Sequence, residues 1–401
     1  MRMKLFNVIS VAEVNQKIID FLKENLKIIE IDLKDSISNI LAQAVYAREE
    51  TPQFYKSTVD GYAVITQDTL GASESLPSVL KYQGSIPIGE NNTYELSSGN
   101  CLYLNTGSML PSGANGVVMI EQTERIEATG EVLVYQTLAN HENVSIPGTD
   151  IAKDQLLFEK GQLIDERVQV VLASQGINKI NVYQKLDAII ISSGNELVSY
   201  DSQIAMGQIR DINVFLIKGL LQKHGITVKE TFLIKDDFET YSDVLRNNEA
   251  NLYITSGGSS QGKEDYTYDV FHELTNNVFC HGLAIKPGKP TIVAAGDNRL
   301  YLGLPGNPVS AYLVLKKTLI ASCLTITQQK QNTIKARLAH NMAGAPGKDS
   351  IILVKIEEPL AKPIFYRSSN VLALSEADGY FVIREGLEGI DEGEEVEVVL
   401  F

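Results

Sequence analysis

Five short segments of this chain carry residue types that can hold or neutralise charged groups. They are Ser192-Ser193-Gly194-Asn195-Glu196, Lys235-Asp236-Asp237, the run from Ser256-Gly257-Gly258 to Asp265, Lys286-Pro287-Gly288-Lys289-Pro290, and Leu304-Pro305-Gly306-Asn307-Pro308. Lys286 and Lys289 stand three residues apart on a turn bounded by prolines. Their ammonium groups can converge on one oxyanion or remain solvated. Gly257, Gly258 and Ser260 precede a helical pattern, where free backbone N–H groups and the helix terminus favour an anion. An ordinary strand-to-helix turn uses the same residues. Glu196, Asp236 and Asp265 would repel an anion unless a divalent cation bridged them to it, and each can equally cap a helix or face solvent. Pro308 suits the first turn of a helix, with Pro305, Gly306 and Asn307 forming the turn before it.

These segments share a position: each follows a predicted strand. Leu186–Ser192 is a continuous apolar run suited to a strand buried on both faces. A helix at Asp211–His224, closed by Gly225, comes next. Then follow strand Ile226–Ile234, helix Phe238–Asn247, strand Asn251–Ser256, helix Asp265–Leu274 and strand Val278–Ile285. Strands Thr291–Ala295 and Leu300–Leu304 lead into a helix at Val309–Leu324. This alternation predicts an αβα doubly wound parallel sheet over 186–327. Ligands of such sheets bind outside the carboxyl ends of the strands, where the five segments fall.

The flanks read differently. Residues 1–50 carry helical periodicity (Val11, Val14, Ile18, then Ser36–Ala44), and 145–185 rejoin them through a helix at Asp165–Gly176. Residues 51–144 alternate short apolar runs with turn residues and predict an inserted β domain. Residues 328–401 predict strands at Ser350–Ile356, Val371–Leu374, Tyr380–Ile383 and Glu394–Leu400, a small barrel or sandwich.

Composition removes several classes. The 401 residues carry 35 Lys+Arg against 50 Asp+Glu, a net charge of −15, which argues against gripping nucleic acid by bulk charge. No apolar run approaches the roughly 20 residues that span a bilayer, so no membrane is expected. Cys101, Cys280 and Cys323 are odd in number and far apart, which suits a reducing cytoplasm and excludes a disulfide scaffold. The glycine loop matches neither a Walker A loop nor GxGxxG. No Ser/His/Asp or Cys/His set has catalytic spacing, and the five histidines show no metal-ligand spacing.

Several ordered motifs carry a resemblance that spans the chain. They are Ser57–Ala63 with Asp-Gly-Tyr-Ala at its core, Thr106-Gly107 followed by Pro111-Ser112-Gly113-Ala114, and Gly148-Thr149-Asp150-Ile151. Ser193-Gly194-Asn195-Glu196-Leu197, Gly207-Gln208-Ile209 with Asp211 and Asn213, Ser256-Gly257-Gly258, Asp265-Tyr266-Thr267, Ala284–Pro290 and Gly303–Ala311 complete the set. Together they resemble the molybdopterin molybdenumtransferase family of molybdenum-cofactor biosynthesis, relatives of the gephyrin E domain. The resemblance implies an α/β multi-domain chain: an N-terminal helical part with an inserted β domain, a molybdopterin-binding αβα domain, and a C-terminal β-barrel-like domain. It also implies a homodimer that inserts molybdenum into adenylylated molybdopterin from molybdate, releasing AMP with the help of Mg²⁺, and an upstream adenylyltransferase as a possible partner.

The same resemblance assigns residues. Glu196, Asp236 and Asp265 stand at the pterin and metal site. Gly257, Gly258 and Ser260 hold phosphate or pterin, Lys286 and Lys289 hold molybdate or phosphate, and Pro305, Gly306, Asn307 and Pro308 shape the site. Asp60, Thr106 and Asp150 are brought by the N-terminal half. Ser369, with Lys348 beside it in role, is the barrel's candidate for molybdate. Departures from the pattern are Val59 for methionine, Ser145 for arginine, Thr149 for glutamate, Ser259–Gly262 in the glycine loop, and a Lys348–Val354 segment lacking arginine. They leave open a tungstate-preferring paralog. An adenylyltransferase and a non-catalytic pterin-binding scaffold are the other two readings.

Overall fold

A computed structural model describes residues 8–89, 93–257 and 266–401. The chain forms two compact units. One comprises 44–159 with 173–176, and the other the remainder of the described chain.

The larger unit opens with helix Val11–Asn25. Ser10 accepts from the Glu13 N–H, and the Glu13 carboxylate accepts in return from the Ser10 N–H, a reciprocal cap. Its apolar stripe, Val14, Ile18 and Leu22, is fully buried in the main core together with the long helix Pro308–Thr327. That second helix widens by one π turn at Lys316–Ile320, which disturbs the regular backbone pairing. Asn15 Nδ2 donates to the Lys317 carbonyl at 2.9 Å and compensates for it. The helix is long and apolar enough to cross a bilayer, contrary to the expectation that no such run exists. Val309, Ala311, Leu313, Val314, Leu315 and Leu319 are buried in the protein's own core, which accounts for its composition.

Residues 26–50 do not form the α-helix their periodicity predicts; their one helical turn is the 3₁₀ segment Leu33–Asp35. Ile28–Asp32 is a strand paired antiparallel with Lys179–Tyr183. Ser36–Ala44 is a sequence of turns because its polar side chains bind nearby backbone: Ser36 Oγ donates to the Leu33 carbonyl and Asn39 Nδ2 to that of Ser36.

The central sheet has six strands in the order Thr227–Ile234, Asp187–Ser193, Leu252–Ser256, Arg299–Leu304, Ile292–Gly296, Val278–His281. The first four are parallel. Ile292–Gly296 runs antiparallel to both of its neighbours, so the sheet is mixed where a parallel one was expected. The short Asp297-Asn298 connection, both residues at positive φ, makes a hairpin, and a hairpin can only join antiparallel strands. The predicted strand Val278–Ile285 is in fact two: it ends at His281, and Ile285–Lys286 belongs to another sheet.

That other sheet is the C-terminal barrel. Strands Asp349–Glu357, Leu360–Pro363, Thr333–Leu338, Glu395–Leu400 and Gly379–Ile383 pair in sequence, and the last returns to the first. Closure removes the free edges. Ile285–Lys286 adds in parallel beside Asp349–Ser350. Val371–Leu374, predicted as a strand, lies within the short helix Leu372–Glu376 and its entry. An apolar run of four residues does not distinguish the two.

The smaller unit is built on a six-stranded sheet ordered Gly116–Met119, Gly61–Val64, Asn100–Leu104, Ser78–Ile86, Glu131–Val134, Thr123–Ile126. Its core is formed by Tyr62, Val64, Leu80, Cys101, Val118, Val132 and Val134.

In the larger unit, burial and the ammonium groups of Lys316 and Lys223 push His224 down to about 4. The unfolded chain takes up this proton near pH 6.5 and the folded chain resists it. Stability is therefore lost as pH falls from 6.5 toward 4. His224→Gln is expected to shrink the drop in urea midpoint between pH 7 and pH 4.5; an unchanged drop would show the imidazole is not resisting protonation.

Candidate active site

The ladder register places the chemistry. Ser193 lies opposite Ile234, Ser192 opposite Ser256, and Ser256 opposite Leu304. The four parallel strands therefore end along one line. Val278–His281 runs in the same direction, being antiparallel to an antiparallel strand, and His281 is level with Ile292 and Gly303. The 282–291 turn leaves from that same rim. Along it, in order, stand Lys235–Asp237, Gly194–Glu196, Gly257, Pro305–Pro308, and the turn of Lys286 and Lys289.

At one end, consecutive residues touch two carboxylates. Ser193 Oγ donates to Asp236 Oδ1 at 2.5 Å. A methyl group placed on Gly194 would sit 3.0 Å from Glu196 Oε2, so the Glu196 side chain folds back over the end of the strand. Two carboxylates on neighbouring loops suit a Mg²⁺ ion, which is held by one or two carboxylates plus water and phosphate oxygens. Among the described residues no three acidic, histidine or cysteine side chains cluster as a metal site. Gly258, Ser260 and Asp265 lie outside the described residues.

In the middle of the rim the described residues include two glycine turns. Gly257 has φ +98°, and a Cβ there would approach the Ser193 carbonyl oxygen to 2.0 Å. Only glycine permits both. A Cβ on Gly306 would lie 3.9 Å from the Gly257 Cα, so the two turns sit side by side. Beneath them is Asn213, which the sequence shows in a motif without a role. Its Nδ2 donates to Ser256 Oγ at 2.6 Å and to the Gly306 carbonyl at 2.8 Å. Asp211 is buried too and accepts from the Val214 N–H at the start of helix Asn213–Lys223. The spacing of an acid and an amide just ahead of a helix signals capping; the bonds of Asn213 to two distant turns leave no local signal.

Pro308 is the first residue of its helix, as expected. Asn307 does not cap that helix with its side chain: its Nδ2 donates to Ser368 Oγ at 3.0 Å, and the Val309 N–H donates to the Ser368 carbonyl. The barrel loop therefore supports the helix terminus through Ser368, while Ser369 beside it is exposed. Lys286 is exposed and Lys289 half-buried. Between them Gly288 has φ +121°, where a Cβ would meet Val314 Cγ2 at 2.3 Å; the turn is pressed onto helix Pro308–Thr327. Lys348 is half-buried, next to Asp349, which pairs with Arg384 at 3.1 Å.

Asp236 and Glu196 thus stand toward one end of the rim, with Lys235 beside them, and Lys286 and Lys289 at the other. Strands lie about 4.8 Å apart, so at the level of the sheet the outer strands are separated by roughly 24 Å. One small anion cannot engage both ends; an extended ligand lying along the rim can.

In the smaller unit, Asp60 Oδ1 accepts from the Thr106 N–H at 2.6 Å and from its Oγ1 at 3.0 Å. Asp60 and Thr106 are both exposed. Asp150 is also exposed, on the turn that follows Ile146, with its N–H donating to the Thr51 carbonyl.

A mixed αβα sheet with a glycine and proline rim, a β insertion and a closed barrel define a multi-domain α/β protein with a candidate ligand site at the carboxyl ends of its strands. Three family models match in order: the MoeA N-terminal region (domains I and II) over 9–176, a probable molybdopterin binding domain over 189–325, and the MoeA C-terminal region (domain IV) over 335–401. A solved molybdopterin biosynthesis MoeA protein from Pyrococcus horikosii superposes with a TM-score of 0.81 at 33% identity, covering 98% of this chain and 99% of its own. A Methanocaldococcus jannaschii protein, provisionally named for molybdopterin biosynthesis, is 33% identical over 96% of this chain and 95% of its own. A molybdopterin molybdenumtransferase of Staphylococcus epidermidis is 29% identical over 98% and 95%. The chain belongs to the MoeA family.

Gly257→Ala is expected to force the Ser193 carbonyl aside and to cost about 1–3 kcal/mol through the strained φ alone. Urea unfolding measures it; a midpoint equal to that of the unaltered protein would show that the close approach is not maintained in solution.

Proposed function

We propose that the protein inserts molybdenum into molybdopterin, taking adenylylated molybdopterin and molybdate as substrates and releasing AMP. The observation that carries this reading is the layout of the rim among the described residues: Asp236 and Glu196 toward one end, Lys286 and Lys289 at the other and the Gly257 and Gly306 turns between them, in a chain of the MoeA family. A pterin joined through a pyrophosphate to adenosine is an extended anion of the kind such a rim can bracket. Glu196 and Asp236, with Asp265, would hold Mg²⁺. When bound, the ion neutralises phosphate charge and polarises the phosphoanhydride.

The protein's own residues then bind and orient. Gly257 and Gly306 let phosphate or pterin approach the backbone, and Pro305, Asn307 and Pro308 keep the second turn rigid. Lys286 and Lys289 supply positive charge for molybdate or phosphate. Catalysis by positioning and charge neutralisation suits this set. Asp60, Thr106 and Asp150 would act as the family's N-terminal contribution, and Ser369 as the barrel's contact to the oxyanion.

We further propose a cytoplasmic homodimer. Tyr200, Ile204, Met206, Ile209 and Phe215 form an exposed apolar stretch in the αβα domain, of the sort that marks protein contacts. Three free thiols suit a reducing compartment. Light scattering is expected to give a particle of twice 44.1 kDa, shifting toward the monomer in Met206→Glu/Phe215→Glu; a monomer at micromolar concentration would refute the dimer.

The activity is tested with purified protein, adenylylated molybdopterin, molybdate and Mg²⁺. AMP is expected to appear with active cofactor, to stop on chelation, and to fall at least about 100-fold in Asp236→Ala, about 3 kcal/mol of barrier. Absence of AMP would overturn the reading. Faster release with tungstate would identify a tungstate-preferring paralog, and pyrophosphate formed from ATP and molybdopterin an adenylyltransferase. Binding of the pterin nucleotide without turnover would leave the scaffold reading.

A further inference from the structure

We propose that Asn213 is a positioning residue for ligand binding on this rim: its amide sets the spacing between the Gly257 and Gly306 turns on which the ligand lies. The inference rests on the reading of the rim as a pterin-nucleotide site and adds to it a residue that does not itself touch the ligand.

Asn213 is the first residue of helix Asn213–Lys223 and is only 7% exposed. Its side chain reaches two turns far away in sequence, donating to Ser256 Oγ and to the Gly306 carbonyl. The carbonyl can only accept, so the amide nitrogen must face it, and the orientation of the group is fixed chemically. Both N–H bonds are thereby committed to Ser256 and Gly306, and among the described residues Oδ1 is buried without a partner. A side chain needed only to fill this space would be apolar and free of that orphaned oxygen. Its donors are what the position requires.

The bonded partners are the residues that fix the floor. Ser256 is the last residue of its strand and immediately precedes Gly257; Gly306 follows Leu304 by two residues. The two glycines approach so closely that a Cβ on Gly306 would be in van der Waals contact with Gly257. The Ser256–Leu304 ladder pair holds the strand ends; beyond it the glycine turns have no side chains to adjust, and their separation rests on bonds such as those of Asn213. Asn213 bonds from one point to Ser256, just before the first turn, and to Gly306 in the second. A shift of a fraction of an ångström between the glycines changes the fit of any phosphate or pterin resting on both, which is how supporting bonds govern a binding site.

The test exploits chemistry that mere packing does not share. Asn213→Asp keeps size and shape. Protonated, its single O–H can donate to the Gly306 carbonyl while Ser256 turns its own hydroxyl to donate to the second oxygen. Ionised, it presents only acceptors to a carbonyl. Dissociation constants for anaerobically prepared molybdopterin are measured for the unaltered protein, Asn213→Asp and Asn213→Ala at pH 5.5 and 8.5, alongside thermal unfolding midpoints. At pH 8.5 both variants are expected to bind about tenfold more weakly, the loss of one net hydrogen bond. At pH 5.5 the ratio of Asn213→Asp to the unaltered protein should improve at least about fivefold, while Asn213→Ala stays weak. A ratio that does not change with pH, or Asn213→Ala binding within about twofold of the unaltered protein at both values, overturns the inference. Should Asn213→Asp fail to fold, Asn213→Ala decides alone by the same criterion. If the unaltered protein does not bind molybdopterin, the reading of the rim falls and this inference with it.

Discussion

The rim depends on one close approach: the Cα of Gly257 packed against the carbonyl of Ser193. Parallel strands in register end level with each other, but loops that leave them normally carry side chains that push the next turn away. Here the glycine removes the side chain and its positive φ turns the backbone across the neighbouring strand end. Ser193 is thereby held between two constraints, with its carbonyl under Gly257 and its hydroxyl on Asp236. The acid end and the glycine floor are consequently one rigid piece, and Gly306 joins it through Asn213.

Charge has to be read by position in such a molecule. The net −15 describes a surface that repels anions at long range, and the carboxylates of Asp236 and Glu196 add to that at one end of the rim. The lysine turn is placed five strands away, so the two sets need not compete for one group. Separation along a sheet edge lets a polyanion meet neutralising charge at one end while a metal neutralises the other, with screening by salt limiting cross-talk between the ends.

Much of this was legible in residue order. Strand and helix alternation over 186–327 placed every chemically interesting segment after a strand, because an apolar run followed by Gly, Pro or a charge marks where a buried element meets solvent. What failed did so for identifiable reasons. The hairpin at Asp297-Asn298 and the break after His281 are decided by pairing partners, which periodicity does not report. Ser36 and Asn39 satisfied a helical spacing but spent their side chains on local backbone. Asn213 and Ser368 act through bonds to residues 43 to 93 and 61 positions away, and nothing in their immediate surroundings distinguishes them from capping or loop residues. Of the proposed site residues, the glycines and prolines carry the clearest sequence signal, since their backbone constraints are local.

The short strand Ile285–Lys286 belongs to the barrel although it lies in sequence between two strands of the central sheet. Only two residues wide, it fixes which way the Lys286 side chain points, because alternate residues of a strand face opposite sides. A slip of one position against Asp349–Ser350 would turn the ammonium group to the other face. The barrel is therefore more than a C-terminal appendage: it is the register gauge for the lysine turn. A change in that two-residue pairing would misdirect a charge at the rim of the central sheet without altering the sheet itself.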